Sequence, residues 1–151
     1  MKIARRSGWD IEPMPVQRSE IKVSRTFSGE EMEQIRRGMV PEQMEDKWFI
    51  FWEEGTLYFH RSWTGFCIYE LQFEQSGSTW AAESLIANRD KEQYAVTDDV
   101  EDALMVSYLI DRILLDKAVA YPRSSNDVDK AVLEQWHTMG RVMLDRNCGQ
   151  G

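Results

Sequence analysis

Residues 44–74 constrain the fold of this chain more than any other stretch. Three apolar, aromatic-rich runs are separated by two short polar breaks, Glu53-Glu54-Gly55-Thr56 and Ser62-Trp63-Thr64-Gly65. Short runs punctuated by glycine-containing turns are the signature of an antiparallel meander. The predicted strands are 48–52, 57–61 and 66–73, with a fourth at 79–87 after the hairpin-type loop Gln75-Ser76-Gly77-Ser78. In the third, Cys67, Tyr69, Leu71 and Phe73 fall on one face and Glu70 and Gln72 on the other, because successive strand side chains point to opposite faces. The sheet is therefore expected to have one wetter side. The first strand breaks that pattern: Trp48, Phe49, Ile50, Phe51 and Trp52 leave no polar face, which calls for a central place or cover on both sides.

The flanks supply helices and an edge. Ile21, Val23 and Arg25 alternate with Lys22, Ser24 and Thr26, the period of a short edge strand. Ser28 and Glu31 form a capping box that starts a helix at Gly29, with Phe27 stapled onto Met32; Met32, Ile35 and Met39 make its apolar stripe, and Gly38 and Pro41 end it. Beyond the sheet, Tyr94-Ala95-Val96 reads as a further short strand. The acids Asp98, Asp99, Glu101 and Asp102 suit the N-terminus of a helix over 98–116, whose broad apolar arc includes Ile110 and Ile113 and implies deep packing. A last helix is expected from Asp127, with Val128, Ala131, Val132, Trp136 and Met139 at helical spacing. Strands and helices in separate blocks make an α+β fold: an antiparallel meander sheet of about five strands with helices packed on one face, in two layers. The 151 residues form a single α+β domain, with an irregular N-terminal arm at 1–18 pinned by Trp9 and a flexible tail at 146–151.

A formal charge of -8 argues against nonspecific nucleic-acid binding, which depends on lysine and arginine neutralising phosphates. No apolar segment follows Lys2, Arg5 and Arg6 and no run reaches bilayer-spanning length, so a cytoplasmic protein without a membrane partner is expected. Cys67 and Cys148 fit that setting as free thiols.

His60-Arg61-Ser62-Trp63-Thr64-Gly65 is the densest polar and aromatic cluster, and it falls where the second strand turns into the third. Loops held by a rigid sheet commonly carry binding groups. His60 and Ser62 share a strand face, but nothing around Ser62 resembles a nucleophile elbow, so a turn-satisfying role competes with a base and hydroxyl couple. Arg61 faces the other way. Its planar guanidinium can stack on a ring while its fork receives a carboxylate or phosphate, in competition with an ion pair to Glu53, Glu54 or Glu70. With Trp48 and Tyr69 nearby in the pattern, the candidate ligand-binding set is Trp48, His60, Arg61, Trp63 and Tyr69. Glu45 or Asp46 with Glu53 or Glu54 would be needed for a paired-carboxylate site, and solvated strand-end acids are the competing reading. No metal-ligand spacing, phosphate loop or cofactor motif is present, so no metal and no cofactor are implied.

Within residues 41–71, Met44-Glu45-Asp46-Lys47-Trp48 and His60-Arg61-Ser62-Trp63-Thr64-Gly65 resemble a group of small uncharacterised bacterial proteins, some of which carry an ADP-ribosylation/crystallin J1 label. The resemblance implies an uncharacterised bacterial domain. It carries over no catalytic residue, because ADP-ribosylglycohydrolases are larger, mainly helical and use spaced acidic metal ligands, which this chain lacks. Two functions compete: a non-catalytic binding or interaction domain that uses its aromatic surface to hold a protein partner, and a nucleotide- or ADP-ribose-related small-molecule binding protein or enzyme. A concave, partly enclosed site favours the ligand, and a flat aromatic patch favours the partner.

Overall fold

The computed structural model describes residues 3–120. The helix expected from Asp127, the tail at 146–151 and Cys148 lie outside the described residues. Five antiparallel strands form one sheet: β1 (Arg18–Phe27), β2 (Trp48–Glu53), β3 (Thr56–Arg61), β4 (Cys67–Ser76) and β5 (Thr79–Asn88), in the order β1-β5-β4-β3-β2. The meander β2 to β5 follows the predicted runs closely, and β1 closes it at the far edge beside β5. Helices α1 (Gly29–Arg37) and α2 (Asp99–Leu109) pack on one face, making the α+β arrangement expected from the sequence. Among the described residues no helix is long and apolar enough to cross a membrane.

Local chemistry sets the element boundaries. At the start of α1, the Ser28 hydroxyl accepts from the Glu31 amide at 3.1 Å while the Glu31 carboxylate accepts from the Ser28 amide at 2.9 Å, satisfying two otherwise orphaned donors. Its end is set by Gly38, at φ +68°, where a Cβ would come within 2.0 Å of the Ile50 carbonyl oxygen. This close approach lets Met39 exchange backbone hydrogen bonds with Ile50 and blunt the exposed edge of β2.

The two faces have different covers. Ile21, Ile50, Phe59, Leu71 and Leu85 join Met32, Ile35, Leu104 and Ile110 beneath the helices. On the other face, Phe49 and Phe51 pack with Ala4 under the N-terminal arm, and the Trp9 ring stacks on Phe49 at 5.8 Å. The unbroken apolar run of β2 is thus explained by cover on both sides, although the strand lies at the sheet edge.

Three local expectations change. A bulge sets His60 opposite Cys67 but Phe59 opposite Tyr69, so Ile68 is the extra residue. Cys67 consequently shares a cleft with Tyr58, His60 and Glu70 instead of lying on the face of Tyr69, and Ile68 joins the helix-side core. No strand forms at Tyr94, which follows a turn and contributes its hydroxyl to a buried network. Finally, the α-helical pattern ends at Leu109 and one π-type turn runs over Ile110–Leu114, with the Leu115 amide donating to the Ile110 carbonyl at 2.9 Å. That wider turn carries Asp111 inward and leaves Ile113 only half-buried, while Ile110 remains in the core.

Candidate functional site

The connection between β3 and β4 is held by backbone and side-chain hydrogen bonds together. The Arg61 amide donates to the Phe66 carbonyl at 2.9 Å, the Gly65 amide to the Arg61 carbonyl at 2.8 Å, and the Ser62 amide to the Lys47 carbonyl at 2.9 Å. The Ser62 hydroxyl donates to the Asp46 carbonyl at 2.7 Å, which leaves it no part in a couple with His60. Gly65 sits at φ +77°, and a Cβ there would come within 2.4 Å of the Asp10 carbonyl oxygen. The arm runs through that space: the Glu12 amide donates to the Gly65 carbonyl at 2.9 Å and the Trp9 indole to the Ser62 carbonyl at 2.8 Å. The turn is therefore also the clasp of the arm, which explains how Trp9 pins residues that have little secondary structure of their own.

Alternation along β3 sends the candidate residues to opposite faces. On the helix side, the Arg61 guanidinium lies over the Trp48 ring at 5.1 Å, and Trp48 stacks on Tyr69 at 5.9 Å and meets the edge of Phe59. Trp48 is only 9% exposed and Tyr69 is fully buried, so both are parts of the core that support Arg61. Among the described residues no carboxylate pairs with Arg61: Glu53 is held by Arg6, and Glu70 lies on the opposite face beside Cys67. Arg61 lines two adjoining clefts of about 410 and 400 Å³. Trp48, Tyr108 and Ile113 line the first; Trp63, Phe66 and Glu92 line the second, and Lys47 borders both. Trp63 is 70% exposed, its indole N–H donating to the Met44 carbonyl at 3.2 Å.

His60 occupies the arm side. It is 2% exposed, stacks on Phe51 at 5.7 Å, and its Nδ1 lies 2.9 Å from the Gly65 carbonyl. A carbonyl can only accept, so Nδ1 carries the proton and Nε2 is left as an acceptor, buried and without a hydrogen-bond partner. Burial lowers the His60 pKa, outweighing the Gly65 bond that raises it, and the ring is neutral at pH 7. Beside it, burial first and the Glu70 carboxylate second push the Cys67 thiol far above its ordinary range. Cys67 is thus a protonated thiol with no nucleophilic character. The five candidates form two sets separated by the sheet: Trp48, Arg61 and Tyr69 with the exposed Trp63 on one side of the turn, and His60 on the other.

A buried network around Asp102 was not legible as a site. The hydroxyls of Tyr69 and Tyr94 are 2.6 Å apart and both donate to Asp102 Oδ1, at 3.2 and 2.7 Å. Arg89 Nη2 lies 2.5 Å from Asp102 Oδ2, off the line of a directed hydrogen bond, and donates to Asp99 Oδ1 at 2.7 Å. Burial raises the Asp102 pKa against the lowering influence of Tyr94 and Arg89. In the sequence these acids read as a helix cap, and Asp98 does cap α2, accepting from Val100 and Glu101. The helical spacing of Asp99 and Asp102, three residues apart, was the available signal that both could meet one cation. Among the described residues no three His, Cys, Asp or Glu side chains are grouped to hold a metal ion.

The chain matches no family model, no curated protein and no solved structure, so its chemistry is argued from its own residues.

Proposed function

We propose that this protein is a non-catalytic binding domain that engages a protein partner through the ridge made by Arg61 and Trp63. The observation that carries this reading is an arginine spread over the Trp48 ring, with no carboxylate partner among the described residues, next to a tryptophan that is 70% exposed. Arginine and tryptophan concentrate binding energy in protein interfaces. A guanidinium already fixed on a ring loses less freedom when its edge receives a carboxylate. Ser62 and His60, the residues that would suggest catalysis, have separate commitments: the Ser62 hydroxyl donates to the Asp46 carbonyl and His60 Nδ1 to the Gly65 carbonyl.

The concavity beside Arg61 supports a second reading, a nucleotide- or ADP-ribose-related ligand held in one of the two clefts. It ranks lower because Trp48 is enclosed by Arg61, Tyr69 and Phe59 and offers no free face to a ligand ring, which leaves only Trp63 for stacking.

A photoreactive residue at Thr64, used in an extract of the source cells, would capture the partner. Titration of the captured protein should show affinity at least about tenfold weaker for Arg61→Ala and for Trp63→Ala, a change of about 1.4 kcal/mol, with the melting temperature unmoved. Equal binding by both variants rejects the ridge. A thermal shift with ADP-ribose that Trp63→Ala abolishes favours the small-molecule reading.

A further inference from the structure

On the arm side of the sheet, away from Arg61, lies a cleft of about 480 Å³ whose polar lining includes His60, Cys67, Tyr58, Glu70 and Glu12. We propose that this cleft binds a small organic amine in its ammonium form, held by His60 Nε2 and the carboxylates of Glu70 and Glu12.

With Nδ1 committed as donor to the Gly65 carbonyl, the ring that lines the cleft has one remaining polar atom, an Nε2 lone pair buried with no partner. A buried acceptor left unsatisfied costs free energy, and a donor from a ligand removes that cost. An ammonium group offers three such donors and no acceptor.

Glu12 and Glu70 make no ion pair with any described residue, while Arg6, the cation in the lining, is held by Glu53 through both Nε and Nη2. Glu70 imposes its charge on its neighbours, helping burial to raise both Tyr58 and Cys67. The cleft is therefore rich in acceptors and negative, which rejects carboxylates and phosphates and favours a cation. Ile11, Pro13 and Met14 supply apolar lining beside these groups, while the Tyr58 ring is already taken up by Phe51, stacked at 4.7 Å, and by the Arg6 guanidinium at 5.1 Å. Methylene groups beside a charged head satisfy the apolar lining and the acceptors together. Ammonium also fits better than a metal ion, since no metal-competent trio of side chains exists among the described residues.

Titration of the full chain with butylamine, followed by amide chemical shifts, tests the assignment; butanol and butyrate are the neutral and anionic controls. The expected result is saturable shifts clustered at Glu12, Met14, His60, Cys67 and Glu70, absent with butyrate and weak with butanol. Glu70→Gln, a partly exposed isosteric change, should weaken the amine at least about tenfold. His60→Phe, which keeps a ring on Phe51, should weaken it as well, and lowering the pH far enough to protonate His60 should expel it. Shifts of similar size spread over exposed acids such as Glu74 and Glu83 mean an adventitious additive only. Equal response to butanol means an apolar crevice, and unaltered affinity in Glu70→Gln removes the charge argument. Each of these three outcomes overturns the proposal, and the Glu70 variant decides it even if His60→Phe does not fold.

Discussion

Beneath the helices, the buried Arg25 reaches Asp111 at 2.6 Å and the Ser107 hydroxyl at 2.8 Å, and the half-buried Arg89 meets Asp99 and Asp102. Beneath the arm, the buried polar groups are a neutral imidazole with one idle nitrogen and a protonated thiol. The difference follows from what each cover is made of. A helix repeats its side chains every three to four residues on one side, so Asp99 with Asp102, and Ser107 with Asp111, arrive as paired acceptors for one arginine each. An irregular arm has no such repeat. It is fastened by its own backbone, by rings and by one exposed ion pair, through the Ala4 amide on the Arg37 carbonyl, the Glu12 amide on Gly65, Trp9 on Phe49 and Arg6 on Glu53. Buried charge pairing is thus concentrated where secondary structure can deliver partners in register.

The comparison is broken most forcefully from the helix side. Asp111→Ala leaves the Arg25 guanidinium buried without its carboxylate, and the loss should be about 3–5 kcal/mol in urea unfolding. A midpoint shift of only a few tenths would mean that Ser107 and water suffice, and that the two faces do not differ in this way. Trp9→Ala removes a half-buried indole and its bond to Ser62, with an expected loss of about 2–3 kcal/mol, below the 3–5 of a fully buried ring. Amide exchange should show this loss as local opening, with Glu12 and Ala4 exchanging faster while the centre of β4 and β5 keeps the protection of the global fold. Uniform acceleration would show that the arm and sheet unfold as one unit.

A smaller effect comes from His60, whose folded pKa lies below the unfolded value of 6.5. Between those two values the unfolded chain binds more protons, so stability rises with pH through the window and falls as pH drops from 6.5 toward the folded pKa. The slope is no steeper than about 1.4 kcal/mol per pH unit. His60→Phe should flatten that part of the profile; an unchanged profile would assign the titration elsewhere. The smallest effect belongs to the exposed ridge: Trp63→Ala should alter stability by no more than about 0.5 kcal/mol, the usual range for surface positions. A larger loss would make Trp63 part of the clasp and weaken its assignment to recognition.

Much of this was readable along the chain. The breaks around Gly55, Gly65 and Gly77 lie where the strands turn, the capping box starts α1 at Gly29, and Gly38 ends it. Arg25 stands in phase with Ile21 and Val23, and its burial follows from that alternation even though a charge on the apolar side looks misplaced in one dimension. Arg61 and His60 are adjacent and could be assigned to opposite faces from the same rule.

The sequence by itself therefore determined the order of the main elements and, away from the bulge at Ile68, the side of each strand on which a residue stands, because hydrophobic period, caps and turn residues act over a few neighbours. Only the tertiary structure decided the partners. The bulge at Ile68 moves Cys67 across the sheet, the π-type turn brings Asp111 to Arg25, and Tyr94 reaches Asp102 from a segment that forms no strand. Single-residue insertions in a ladder or a helix depend on which packing leaves the fewest buried groups unpaired, a balance struck between segments up to 86 positions apart, as for Arg25 and Asp111. Trp48 shows the same limit: its ring reads as a ligand platform in one dimension, yet Arg61, Tyr69 and Phe59 enclose it once the strands pair. Enclosure is a property of neighbours brought together by the sheet, and no local pattern encodes it.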